Sequence, residues 1–124
     1  MKFSPLFIAL TALWVTPALA QSMPLSTFLA KADALEAKGP LALMSSDLPI
    51  IKKEVKTSMV NYRTFINGQK AAGKPPHSCP PVKGSLDSDE MMAAFRAVPV
   101  AQRKSVNVQT ALFALMKKRY PCPA

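Results

Sequence analysis

Apolar positions along this 124-residue chain recur at steps of three and four, with no sustained alternation. The pattern predicts an all-α protein, a small bundle of about four helices. The first helix opens at Ser22-Met23-Pro24, with serine as N-cap and proline accepted in the first turn. Leu25, Phe28, Leu29, Ala32 and Leu35 form its apolar stripe, and Gly39-Pro40 stops it. Leu41-Ala42-Leu43-Met44 reads as one helical turn before three N-cap candidates, Ser45, Ser46 and Asp47. A long helix over about residues 48–71 follows, its stripe running through Leu48, Ile51, Val55, Met59, Tyr62 and Ile66, widened by Phe65.

Residues 73–85 hold four prolines and read as an extended loop, because proline fixes its own φ and restrains its predecessor. Asp87-Ser88-Asp89-Glu90 then fits a capping box, with Leu86 and Met91 at the staple positions. Met91, Phe95 and Val98 give the inner face of a third helix that ends at Pro99. A fourth helix is expected from just after Ser105 to about Tyr120, burying Val108, Ala111, Leu112, Leu115 and Met116. Lys117, Lys118 and Arg119 crowd its last turn, where cations suit the helix dipole, and Pro121 stops it.

Ahead of these elements, Met1 to about Ala20 has one charge, Lys2, an apolar run from Leu6 to Val15, and Ala18-Leu19-Ala20 before Gln21. That is the form of a cleaved secretory signal peptide, and it predicts a periplasmic protein. Residues 21–124 would then be a single helical domain of 104 residues, small enough to have a marginal core. In an oxidising compartment the only two cysteines, Cys79 and Cys122, are expected to pair and staple the helices between them. Free or intermolecular thiols are the alternative.

Without Lys2 the chain carries 15 basic residues against 7 acidic ones. Such a surplus favours anionic company, or simply keeps a small protein in solution. The long helix concentrates it: Lys52, Lys53, Lys56, Arg63 and Lys70 face Glu54 alone. Together with Lys74 and His77 in the proline-rich loop, these are the candidate partner-binding residues. The competing reading is an ordinary solvated face followed by a crossover loop. A membrane-surface role for the helix is disfavoured, since its apolar stripe should be used by the core. Few aromatics and no binding motif speak against nucleic acid.

Catalytic and cofactor motifs are absent from the sequence. There is no Gly-rich phosphate loop, Ser-x-x-Lys or His-Glu-x-x-His, and capping accounts for Asp87, Asp89 and Glu90. His77, Cys79 and Cys122 could offer only three zinc ligands, and only as free thiols. The methionines read as core filler. No enzyme activity, cofactor or metal is therefore expected.

Cys79-Pro80-Pro81, Gly84, a capped helix ending near Pro99, Arg103, and a last helix ending Tyr120-Pro121-Cys122 together resemble the Rap/Tai immunity proteins. The resemblance covers roughly residues 77–122. Ahead of it, where family members often carry further cysteines, the nearest segment, Tyr62 to Gly68, has none. The resemblance implies a small, exported, disulfide-bonded helical scaffold associated with type VI secretion. It also implies a protein partner, a peptidoglycan amidase effector that the protein would bind and block. A homodimer is left open, and stable membrane insertion is not expected. The alternative from another class is a general envelope protein that binds an anionic polymer through the same basic face.

Overall fold

The computed structural model describes residues 22–123, which form α1 (Leu25–Lys38), α2 (Asp47–Ala71), α3 (Ser88–Ala97) and α4 (Val108–Arg119). Short 3-10 turns at Gly39–Met44 and Val100–Gln102 complete the elements. The fold is an all-α bundle of four helices with one disulfide, as the periodicity predicts. The expected signal peptide lies outside the described residues.

Helix α4 packs against each of the other three. It contributes Val108, Ala111, Leu112, Leu115 and Met116 to the core, where they meet Leu25, Phe28 and Leu29 of α1 and Met91 and Phe95 of α3. Phe28 and Phe95 meet edge to face with ring centres 5.5 Å apart. From α2, by contrast, only Tyr62 and Ile66 of the expected stripe are buried, with Ile51, Val55 and Met59 at the core margin. The reason is length. At 25 residues α2 is about 37 Å long, roughly twice α4, so its N-terminal half extends beyond α4 and lies beside α1, with Asp47 bonded to Lys31. Phe65, expected to widen the stripe, is 41% exposed.

Helix ends depart from expectation wherever a distant group supplies the cap. Ser22 is not the N-cap of α1; its hydroxyl donates to Glu54 (2.6 Å) and accepts from the Gln109 amide (3.0 Å). The first amides of α1 donate instead to backbone carbonyls of the α3–α4 connection, Leu25 to Val106 at 2.8 Å and Ser26 to Arg103 at 2.9 Å. Asp87 caps α3 as expected, but through the second helical amide, and the capping box does not close. Asp87 accepts from the Asp89 amide, while the Glu90 carboxylate turns away to Arg119 Nη1 at 2.6 Å. Helix α4 begins at Val108, later than expected, because Asn107 accepts from the Thr110 amide and so caps it. Gly39 closes α1 with a positive φ of 55°, which favours glycine, but at ψ -129° it does not adopt the left-handed helical conformation expected of it.

Cys79 and Cys122 form the disulfide, with Cα atoms 5.0 Å apart. The Cys79 amide also donates to the Tyr120 carbonyl at 2.8 Å. Together these close α3 and α4 into a hairpin.

Candidate binding surface

The long helix places the candidate cations in more than one group. At about 100° per residue, Lys52, Lys56, Arg63 and Lys70 fall within an arc of about 40° on one flank of α2, extending about 27 Å along the axis. Lys53 lies on the outward face, nearly opposite the buried Tyr62. All five are exposed, as is Lys74 just past the helix end. None of the six forms an ion pair among the described residues.

This concentration arises from where the acids go. Asp47 is bonded by Lys31 at 2.8 Å, and that hydrogen bond holds its carboxyl below the ordinary value. Glu54 accepts from the Ser22 hydroxyl and the Met23 amide. The only two carboxylates of α2 are thus engaged with α1 or the segment ahead of it. Asp33 and Glu36 bind Arg96, and Glu90 binds Arg119, so the neutralised part of the surface surrounds α1 and α3. The flank of α2 keeps its positive charge.

His77 is separated from that flank. It lies on the other side of α2 in an aromatic cluster with Phe65, 5.9 Å between ring centres, and Phe113, 6.1 Å. Phe65 and Phe113 stack at 5.6 Å, and Tyr62 meets Phe113 edge to face at 5.5 Å. Burial among these rings, with Lys117 nearby, holds the imidazole below its ordinary value, so the neutral form is favoured. The loop is pinned at this point. The His77 amide donates to Gln69 Oε1 at 2.7 Å, and the neighbouring Ser78, fully buried, hydrogen-bonds the Tyr62 hydroxyl.

Ser78 Oγ is also 3.1 Å from His77 Nδ1. A hydroxyl beside an imidazole is the pairing of a nucleophile with its base. Here Ser78 is enclosed and shared with Tyr62, so the contact fastens the loop to the helix and offers no atom to a substrate. Both sulfurs are spent in the disulfide, and no group of three metal-ligating side chains converges among the described residues.

The aromatic cluster was not recognised in the sequence, since Phe65, His77 and Phe113 come from three elements. The helical spacing placing Phe113 beside the stripe of α4, rather than in it, was the available signal. A groove of about 940 Å³ between α3 and α4, floored by Ala93, Ala97, Ala114 and Leu115, was also unforeseen. Among the described residues no helix is long and apolar enough to cross a membrane. Comparison of the chain with protein-family models, curated proteins and solved structures finds no match.

Proposed function

We propose that this protein is an exported, non-enzymatic binding protein that blocks an envelope-acting partner. A peptidoglycan amidase effector is the partner that the Rap/Tai resemblance implies. The observation carrying this reading is the row of Lys52, Lys56, Arg63 and Lys70, exposed on one flank of a single helix and without ion pairs among the described residues. Mounting charges on a helix, with the adjoining loop pinned by Ser78 and Cys79, lowers the ordering cost of binding. Such a surface suits an acidic cleft and would accelerate encounter with it.

The same unpaired charges favour a second reading, in which the protein holds an anionic envelope polymer. Salt distinguishes them, because screening weakens an exposed polyelectrolyte contact far more than an interface with a buried anchor. The test is capture by the immobilised, oxidised protein from periplasmic and secreted fractions, with washing at moderate salt and identification by mass spectrometry. Recovery of one wall hydrolase near equal stoichiometry supports the inhibitor. Recovery only of polymer fragments that wash off with salt supports the second reading.

A further inference from the structure

The densest exposed apolar surface in the described residues lies at neither the basic flank nor the aromatic cluster. In the Gly39–Met44 turn, Leu41, Leu43 and Met44 are 67%, 80% and 86% exposed, and no residue of the turn is buried. Ile50 follows on the first turn of α2 at 43%. Clusters of this kind mark contact sites for a protein or a membrane. The turn joins α1 to the N-terminal end of α2, away from α4, whose first residues meet α2 near Asn61.

We infer that this turn is a peripheral membrane anchor, whose Leu41, Leu43 and Met44 enter the interface of an anionic bilayer while surrounding lysines hold the headgroups. Charge decides the choice of occupant. Lys38 stands immediately before the turn, and Lys52, Lys53 and Lys56 occupy the first three turns of the helix that follows it. The carboxylates that might offset them are engaged elsewhere, Asp47 by Lys31 and Glu54 by Ser22 and Met23. An apolar tip flanked in sequence by lysines on both helices matches a surface that is negative outside and hydrocarbon inside.

A six-residue 3-10 turn is about 12 Å long, comparable with the depth at which interfacial segments lie. Neither signal alone is enough. A few apolar side chains bind a bilayer reversibly, and stable attachment takes a basic patch as well. Each lysine near an anionic surface contributes about a fivefold gain in partitioning. The site differs from the expectation for the helix stripe, which the core and its margin do use. It requires no spanning segment.

The test is sedimentation of the oxidised protein with vesicles, either pure phosphatidylcholine or one quarter phosphatidylglycerol, at moderate salt. The protein is expected to sediment with the anionic vesicles and not the neutral ones. Leu43→Asp with Met44→Asp should reduce that partitioning by at least about tenfold, because burial of two apolar side chains is lost. Since both side chains are exposed, the melting temperature should not change. Lys52→Gln with Lys53→Gln and Lys56→Gln should weaken it by a similar factor or more.

Absence of sedimentation with anionic vesicles would overturn the proposal. So would equal binding by the wild type and L43D/M44D, which would leave charge alone as the cause. A dimer seen by light scattering that L43D/M44D abolishes, without vesicle binding by the wild type, would instead assign the turn to a second copy of the chain.

Discussion

The hydroxyl of Tyr62 on α2 is hydrogen-bonded to the hydroxyl of Ser78 in the proline-rich loop, and neither side chain reaches solvent. This contact fastens the loop one residue before its disulfide. Removing the Ser78 hydroxyl leaves that of Tyr62 buried with its bond lost, which costs about 1–3 kcal/mol. Ser78→Ala should lower stability by that order in chemical denaturation, and Tyr62→Phe by less, because Ser78 keeps its contact with His77 Nδ1. The double variant should lose less than the sum, as residues in one contact are not additive.

Reduction of the disulfide should be felt by the whole bundle. The bridge joins residues 43 apart in sequence, and closing a loop of that size is worth about 4 kcal/mol on chain entropy alone. Cys79→Ser or Cys122→Ser should therefore lower the melting temperature by about 15 °C or more. Calorimetry with and without reductant checks this, and equal melting of both forms would remove the staple from the account.

Arg103 has a structural task. Its Nε donates to the Val98 carbonyl at 2.9 Å and its Nη2 to the Arg96 carbonyl at 2.7 Å, satisfying groups exposed at the end of α3. Hydrogen bonds from a charged donor are worth about 1.5–3 kcal/mol. Arg103→Ala should destabilise by roughly that amount. Arg103→Lys should recover only part of it, because an ammonium lacks the planar fork. Urea unfolding of the three proteins measures both effects.

His77 gives stability a dependence on pH in a defined direction. Its imidazole titrates below the ordinary value in the folded protein, chiefly through burial and secondarily through Lys117. Between the two values the unfolded chain binds more protons, so stability rises with pH. The contribution is full above about pH 6.5 and is lost as pH falls through that value towards the lower folded one. Asp47, also lowered, gives up its contribution only in the carboxylate range. Melting curves across this interval should show a steeper fall for the wild type than for His77→Gln.

Much of this architecture could be read in advance because its signals are local. Pro49 sits in the first turn of α2 and Gly73 just past its end, Gly39 closes α1, and a chain with two cysteines has one intramolecular way to pair them. What escaped depends on partners distant in sequence. The amides of α1 are capped from Val106 and Arg103, and Glu90 is drawn away by Arg119. The candidate site shows the same division. Helical spacing alone places Lys52, Lys56, Arg63 and Lys70 together, whereas His77 is separated from them by the packing of Phe65 and Phe113. The exposure of Leu43 and Met44 is illegible for a further reason: an apolar run shows where burial is possible, and the packing of distant helices decides where it occurs.

The basic flank should matter to a partner without mattering to the fold. If the proposed capture recovers a wall hydrolase, Lys56→Glu with Arg63→Glu should slow association with it by about tenfold or more, since reversed rim charges act on encounter. Lys53→Glu, on the outward face, should have a smaller effect. Surface plasmon resonance at two salt concentrations would separate this from any change in dissociation. Both variants should keep the wild-type melting temperature, because the substituted side chains are exposed and unpaired.

The most direct test is titration of the oxidised protein into a peptidoglycan digestion by that hydrolase. The inhibitor account predicts that activity falls linearly to near zero at one equivalent, and that Lys56→Glu with Arg63→Glu shifts the curve to higher concentration. Undiminished digestion in the presence of excess protein would contradict it.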